Sequence, residues 1–402
     1  ILTPFKLTIA SLKHYCVYNL FDTMSVKIKK THKFDNDHRV EVLLNNVIDK
    51  DVQSMLLPLN LLQNIIFCPK YCIKDNFITP LSTRSNVVSL VGTIIFISLY
   101  VFRVYKLHFD NDMFTYFVDL YYASYFDCSY YFIEFIMTYI FGILQTKKSI
   151  SFVLYFQKVH RFLNNKISFK RFVIGNWMSI IMAFGYYAII VTYLGIKMEL
   201  PYYIIITAQI TVTFDLSIVY AIRFIKLLEQ KLVLWNIQAL TSDRIEDTDD
   251  KVYNNKMFQA YVDVLKCYDI YKVCFQLYIF FYTIEVFTHA LAYIQILIDT
   301  LKIGLKTNEA SIAAWTIILW LIKNLMWHIM LCQQCEKFYI ALQNVQDSYE
   351  EKKLCKNIQR LHRASFSKIN ACGLFYVDTA LPLYLMCLYA NYTFVLLQFA
   401  FL

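Results

Sequence analysis

The sequence predicts an all-α membrane protein with seven transmembrane helices, an intracellular amino terminus and an extracellular carboxyl terminus. Composition is the first reason: of 402 residues, 58% are hydrophobic and only 17% are charged, and the mean hydropathy is +0.44, far from the values of a soluble domain. Glycine and proline are also scarce, at 7 and 6 residues, which favours long helices over a β-barrel with its many turns. The distribution of basic residues, described below, sets the orientation.

The chain begins with a polar segment, residues 1–86, that we expect to be cytoplasmic. The first 84 residues carry 11 Lys or Arg and no apolar run long enough to cross a bilayer. Within it, residues 55–80 mix apolar residues with prolines, a pattern typical of a short membrane-surface helix followed by a turn.

Four spans follow in the first half of the chain. The first is predicted at residues 87–104, and residues 113–145 form a second, overlong and tilted helix. The third covers about 172–194. From 201 to 240 there is no helix breaker in 40 residues, a helix about 60 Å long, roughly twice the bilayer core, so the fourth helix should continue into the cytoplasm.

The second half of the chain repeats this overlong pattern. An acidic patch at 241–250 ends the fourth helix, and residues 251–302 form a fifth helix with its apolar span near 274–298. The sixth span, 312–332, continues through a charged amphipathic segment to Arg363. Helices four to six should therefore extend into a cytoplasmic bundle, where we expect subunits to associate.

These elements define the predicted organisation of the chain. Residues 1–86 form the cytoplasmic segment, and 87–332 carry six spans whose outer half binds a ligand. Residues 333–370 form cytoplasmic anchor helices, and 371–402 form the last, pore-lining helix.

Loop charges orient the spans. The loops after spans two, four and six carry 7, 8 and 7 basic residues, whereas the other loops hold only Lys106, Lys197, Lys302 and Lys306. The positive-inside tendency places the richer loops in the cytoplasm. This orientation disfavours a G-protein-coupled receptor, whose amino terminus faces out, and it accounts for the net charge of +9 without nucleic acid as a partner.

The last span has a polar seam. Residues 381–402 contain no charged residue in 22 positions, and Tyr384, Asn391 and Gln398 recur every seven residues, with Cys387 and Phe394 in the intervening turns. One face of the helix therefore carries hydrogen-bonding groups. Such groups cost several kcal/mol in lipid unless they meet protein or water. The seam is explained either by helix–helix contact or by a water-filled path, and its three members favour the path.

The carboxyl-terminal motifs resemble those of a known family. The last span resembles the TYhhhhhQF signature of insect gustatory receptors, because Asn391 and Tyr392 are followed by five residues and then by Gln398 and Phe399. The segment GLFYVD at 373–378 resembles the GLFxxD segment that precedes this signature in the family. The departure is Asn391, where the family usually has Thr. The resemblance implies a ligand-gated, non-selective cation channel, tetrameric, with the last helix of each subunit lining one pore.

The resemblance also implies the partners and the gate. The partners are a small-molecule tastant, with a bitter plant compound favoured over a sugar, permeating cations, membrane lipids, and identical or different receptor subunits in a tetramer. The location is the plasma membrane of a sensory neuron. No cofactor is expected. The predicted pore and gate residues are Asn391, Tyr392, Val395, Gln398 and Phe399.

Aromatic and polar residues near the outer side predict a ligand pocket, and the resemblance places it between the second and sixth spans. Aromatic walls with a few polar groups suit a small amphipathic or sugar-like ligand. The predicted ligand-binding residues are Tyr116, Asp119, Tyr122, Tyr187, Tyr193, Gln209, Thr288, Tyr293, Trp315 and Trp320.

Three ionisable residues are predicted near mid-depth: Asp215 in the fourth span, Glu285 in the fifth and Lys323 in the sixth. Because an unpaired charge there is costly, Lys323 is expected to neutralise one of the two acids. A structural ion pair and a ligand or gating role both remain open. His289 lies four residues after Glu285, on the same helix face.

Other functional classes find little support. The sequence has no HExxH, no GxSxG and no second CxxC beside Cys332 and Cys335, so neither an enzyme nor a metal site is predicted. A secondary transporter is the alternative, because intramembrane charges also mark substrate routes. Against it, the chain lacks an evident internal repeat and Gly-rich broken helices.

Overall fold

Long helices dominate the described part of the chain, which in this computed structural model comprises residues 46–109, 118–164, 166–242, 250–303, 308–347 and 353–401. All of these helices lie within one unit, residues 48–402. In chain order they are α1 (Lys50–Ile65), α2 (Thr83–Phe109), α3 (Val118–Leu144), α4 (Thr146–Phe162), α5 (Lys166–Gly185), α6 (Thr192–Lys197), α7 (Tyr202–Ile210), α8 (Val212–Ser242), α9 (Asp250–Ile303), α10 (Asn308–Asp347), α11 (Lys353–Ser365) and α12 (Ala380–Phe401).

Two short antiparallel hairpins join helices of the described region. In the first, β1 (Cys72–Lys74) pairs with β2 (Phe77–Thr79) between α1 and α2. In the second, β3 (Asn370–Ala371) pairs with β4 (Phe375–Tyr376) just before α12. The helix-then-turn pattern predicted for residues 55–80 therefore appears as α1 and the first hairpin.

Seven helical segments are long and apolar enough to cross a membrane, counted over the described residues. This confirms the predicted all-α, seven-span fold. The spans, first to seventh, are Thr83–Phe109, Tyr125–Leu144, Phe169–Lys197, Tyr202–Leu240, Val252–Leu301, Ser311–Val345 and Ala380–Phe399.

The fifth and sixth helices are longer than a bilayer requires. α9 has 54 residues and α10 has 40, which at about 1.5 Å per residue gives roughly 80 Å and 60 Å. α9 packs against α4 and α8, and α10 packs against α8. The side of the membrane on which they protrude stays a prediction from the loop charges.

The third and fourth spans are interrupted, whereas the sequence predicted an unbroken fourth helix. α7 ends at Ile210 and α8 begins at Val212, and the Thr211 hydroxyl donates to the Ala208 carbonyl at 2.7 Å. The β-branched run from Ile210 to Thr213 crowds a helix interior, and threonine hydroxyls compete for backbone carbonyls there. Between α5 and α6, residues Tyr186–Val191 form a π-helical turn, a wide turn that reorients the side chains after it.

α1 is buried against the third span, and a polar contact fixes it there. The Asn176 side chain, fully buried, donates to the Met55 carbonyl at 2.9 Å and accepts from the Arg223 guanidinium. Arg223 also donates to the Phe172 carbonyl at 3.1 Å. It passes so close to Gly175 that a Cβ there would lie 2.7 Å from Arg223 Nη2, so the small residue makes room for the arginine.

α4 carries a buried histidine outside the spans. His160 is 3% exposed and its ring lies 5.9 Å from that of Phe156. Burial, together with the nearby Lys231 ammonium, lowers the pKa of His160 to about 4. The imidazole is therefore neutral in the folded protein at physiological pH.

We expect His160→Phe to remove part of the acid sensitivity of the protein. Because the pKa of His160 is lower in the folded than in the unfolded chain, the unfolded chain binds the extra proton first as the pH falls below about 6.5. As the pH falls from about 6.5 toward 4, this difference in pKa lowers the free energy of unfolding by roughly 3 kcal/mol. Thermal melting of detergent-solubilised protein measures this. An identical pH profile for the variant, which keeps the aromatic ring, would contradict the assignment.

Candidate ligand cavity, buried charges and seventh span

A cavity of about 200 Å³ lies among the first six spans. Its wall is mostly aliphatic and comes largely from the π turn, α6 and α7. The lining residues are Arg103, Leu107, Asp127, Tyr131, Tyr186, Ile190, Val191, Leu194, Gly195, Met198, Leu200, Ile204, Ile205, Ala208, Thr211, Tyr293, Ile296, Thr300, Ala313, Thr316, Ile317 and Trp320.

The interrupted helices shape this wall. Gln209 donates through Nε2 to the Tyr187 carbonyl at 2.6 Å and to Thr192 Oγ1 at 2.9 Å, which satisfies backbone that the π turn leaves without its usual partner. Gly195 lets the third and fourth spans approach closely, since a Cβ there would lie 2.7 Å from Ile205. The π turn and Gly195 thus place apolar side chains along one side of the cavity.

The charged part of the wall comes from the first, second and fifth spans. Arg103 and Asp127 are 8% and 7% exposed and attract each other electrostatically. Tyr293 donates its hydroxyl to Asp127 Oδ2 at 2.9 Å, and Arg103 Nη1 donates to Thr207 Oγ1 at 3.3 Å. Opposite charges on one wall leave the cavity close to neutral.

The structure places the predicted ligand residues in different surroundings. Tyr293 and Trp320 line the cavity, whereas Tyr193 and Trp315 are 58% and 64% exposed. Tyr116 and the side chains of Asp119 and Tyr122 lie outside the described residues. Tyr187, Gln209 and Thr288 do not line this cavity but make hydrogen bonds within the protein.

Most of the residues that line the cavity were not predicted from the sequence. An aliphatic residue on a transmembrane helix looks the same in the sequence whether it faces a cavity or lipid. Arg103 could have been found, because an arginine within an apolar span is costly unless it meets a partner. The π turn has no equivalent signal in the sequence.

Lys323 pairs with Asp215. Lys323 Nζ lies 2.6 Å from Asp215 Oδ2, and each side chain is 5% exposed. Tyr187 donates its hydroxyl to the same carboxylate oxygen at 2.7 Å and accepts from Lys323 at 2.9 Å. The Trp320 ring centroid lies 4.0 Å from the ammonium, a cation–π distance. The sixth, fourth and third spans are joined at this point.

Glu285 lies in a separate group. His289 Nδ1 is 3.6 Å from Glu285 Oε1, and His289 Nε2 is 2.8 Å from Asp127 Oδ1. Glu134 of the second span interacts electrostatically with the Glu285 carboxyl. The three ionisable residues predicted at one depth therefore divide into the Lys323–Asp215 pair and a carboxyl group beside it.

Lys323→Met should destabilise the protein by roughly 3–5 kcal/mol, because it leaves a buried carboxylate without its counter-ion. Adding Asp215→Asn should restore much of the loss, since it removes the unpaired charge. Thermal melting and surface expression measure both. Glu285→Gln is the matched control, and a rescue by Glu285→Gln equal to that by Asp215→Asn would contradict the pairing.

The seventh span is mostly uncovered. It packs on the fifth and sixth spans through Leu381 and Leu385 and through a stack of Phe287 on Tyr389 with ring centroids 5.6 Å apart. Most of the seam residues and of the predicted gate residues are exposed along the helix. Tyr384, Cys387, Asn391, Phe394, Val395, Gln398 and Phe399 are exposed, and Tyr392 is half-buried.

Comparison with known proteins finds similarity in structure but not in sequence. No protein-family model and no curated protein sequence matches this chain. Among solved structures, it is similar to the insect olfactory receptor OR5 from Machilis hrabei in complex with eugenol, with 11% identity and a TM-score of 0.49. The match covers 86% of this chain and 97% of the receptor chain.

Proposed function

We propose that this chain is a subunit of a ligand-gated, non-selective cation channel of the gustatory receptor kind. The observation that carries the proposal is the polar seam of the seventh span, exposed along an otherwise apolar transmembrane helix. The carboxyl-terminal motifs support it. The proposal includes the plasma membrane of a sensory neuron and the orientation predicted from the loop charges.

The polar side chains of the seam need hydrogen-bond partners, which lipid does not supply. Tyr384, Asn391 and Gln398 are all exposed, and polar groups cost several kcal/mol in hydrocarbon unless water or protein receives them. Four copies of this face around one axis would enclose a water-filled path and end in a ring of Gln398 amides. Such a ring replaces part of a cation's hydration, and Phe399 beside it supplies an apolar constriction that closes by dewetting.

The cavity is the proposed ligand site, and its size limits the ligand. An engineered apolar cavity of about 150 Å³ holds benzene, so a cavity of about 200 Å³ takes one ring with small substituents. A sugar would need many hydrogen-bond partners that the aliphatic wall lacks. Because Arg103 and Asp127 balance each other, an uncharged molecule fits better than an ion of either sign. A compact plant aromatic meets these conditions.

Patch recording from cells that express only this chain tests the channel. Ligand-evoked current that reverses near zero supports a non-selective cation channel. The buried charges beside the cavity favour a secondary transporter as the alternative, and coupled uptake without such current would support it instead.

Substitutions at the gate should alter current without abolishing ligand binding. Phe399→Ala should raise basal current because it widens the dry constriction, and Gln398→Glu should favour divalent cations because it adds a ring of charges. Phe132→Ala, which truncates an exposed phenylalanine on the second span, is the control. If both variants reach the surface with unchanged basal current and permeability ratios, the gate lies elsewhere, with Asn391 and Val395 as the next candidates.

The ligand class can be tested without any current. We expect acetophenone to bind purified protein about tenfold or more tighter than benzoate or benzylammonium, because either ion adds a charge that the balanced wall does not neutralise. Quenching of Trp320 fluorescence measures binding, with Trp320→Phe to assign the signal.

A filled cavity provides the control for this measurement. Ala208→Phe adds bulk at a lining position and should abolish binding, whereas Ala188→Phe adds the same bulk on the exposed side of the π turn and should not. Tighter binding of either ion, or equal effects of the two alanine substitutions, would contradict the assignment.

A further inference from the structure

A second lysine, apart from the Lys323–Asp215 pair, places its charge inside the protein. Lys70 belongs to the loop between α1 and β1, and its ammonium nitrogen lies 4.3 Å from the ring centroid of Tyr220 and 4.5 Å from that of Phe275. These two rings are only 2% and 4% exposed, so the ammonium group lies against buried parts of the fourth and fifth spans. Cation–π contacts of this kind stabilise a cation but do not neutralise it.

No acidic side chain balances this charge within the part of the chain that the structure describes. The ion pairs found there join other residues, and none of them involves Lys70. The groups that act electrostatically on Lys70 are the thiols of Cys68 and Cys274, which are uncharged near neutral pH. Burial lowers the pKa of Lys70 to about 8, so the ammonium form still predominates at neutral pH. A buried cation without a counter-ion is costly.

Lys70 lines a small second cavity of about 20 Å³. The rest of its wall comes from α1 and from the second, fourth and fifth spans. A cavity needs about 10–15 Å³ to hold one water molecule, so this one has room for a single water or a single-atom ion. Gly142 on the wall leaves further space open, because a Cβ there would have no atom within 4 Å.

Two buried polar side chains on the same wall carry atoms without a hydrogen-bond partner. Gln63 of α1 is 6% exposed and Thr138 of the second span is 8% exposed, and both line the cavity. Neither Gln63 Oε1 nor Thr138 Oγ1 has a partner among the described residues, although buried polar groups are nearly always hydrogen bonded. The threonine hydroxyl can donate to an anion, and half a turn of the Gln63 amide places its NH₂ group where Oε1 lies. The wall therefore offers one cation and two further donors.

We infer that this second cavity is a binding site for one halide-sized anion, held by the Lys70 ammonium, the Thr138 hydroxyl and the Gln63 amide. The anion supplies the counter-charge that the described side chains do not. It also gives the two unpartnered polar side chains a common acceptor. Because its ligands come from different segments, the bound ion would tie α1 and its loop to the second span, beside the rings of the fourth and fifth.

Size and charge select the occupant of this site. Phosphate, sulfate and carboxylates have several heavy atoms each, and a cavity of about 20 Å³ is too small for them. A water molecule fits the same volume but leaves the charge of Lys70 without a counter-ion. A small cation is excluded by the ammonium group. Chloride is the commonest anion of the required size, and it is the probe used below.

Thermal melting of detergent-solubilised protein tests the site. Sodium gluconate, whose anion is too large for the cavity, is replaced stepwise by sodium chloride at constant ionic strength. The melting temperature of the wild-type protein should rise and then level off, because an ion that binds only the folded protein stabilises it until the site is saturated. Lys70→Met keeps a long side chain that packs well on aromatic rings and should abolish the rise. Lys74→Met removes an exposed charge from β1 and should retain it.

Two results of this titration would overturn the inference. If the melting temperature of the wild-type protein does not depend on chloride, the cavity holds water and not an anion. If Lys70→Met shows the same rise as the wild type, chloride stabilises the protein through a general effect of salt. Neither result bears on the larger cavity or on the gate, because no ligand and no channel current are used.

Thr138→Val decides the question if Lys70→Met does not fold. Valine keeps the shape of threonine but has no hydroxyl, so one hydrogen bond to the anion is lost. The chloride concentration at the midpoint of the rise should therefore increase about tenfold. Thr93→Val is the control, since Thr93 is also buried in a span but donates to the Ser89 carbonyl at 2.9 Å. A midpoint that is unchanged in Thr138→Val, or shifted equally in both variants, would overturn the anion site.

Discussion

The cost of burying charge within a membrane protein organises the centre of this molecule. Lys323 is stabilised by Asp215, by the Tyr187 hydroxyl and by the face of Trp320, and these partners come from three spans. A buried cation without them would be destabilising by several kcal/mol. The third, fourth and sixth spans are therefore held in one register, and the walls of the cavity beside Trp320 are held with them.

Departures from regular helix geometry give the cavity its shape. The π turn at Tyr186–Val191 and the break at Thr211 lie in adjacent spans, and Gln209 bonds across them to the Tyr187 carbonyl. An uninterrupted pair of helices would pack ridge into groove and leave little space. Here the backbone groups at these irregularities find hydrogen-bond partners within the protein. Irregular backbone is tolerated at membrane depth under this condition.

The spans that form the packed core differ from the span that is proposed to line the pore. The first six spans surround the cavity and the buried charges, whereas the seventh packs on the fifth and sixth and exposes its polar seam. Such a helix is free to make contacts with other copies of the chain without disturbing the core. In the proposed channel, ligand binding would reach it through the fifth span, which carries His289 and the Phe287 that stacks on Tyr389.

The sequence by itself determined the all-α class, the number of spans and the overlong fifth and sixth helices, because apolar length and scarce Gly and Pro act locally along the chain. It also predicted that Lys323 must meet an acid, since charge burial is costly wherever it occurs. Only the tertiary structure decided that the acid is Asp215, that Glu285 instead meets Glu134 and His289, and that Arg103 and Asp127 face one cavity. Those choices depend on helix rotation and on backbone irregularities between distant segments, and residue spacing along one helix does not encode them.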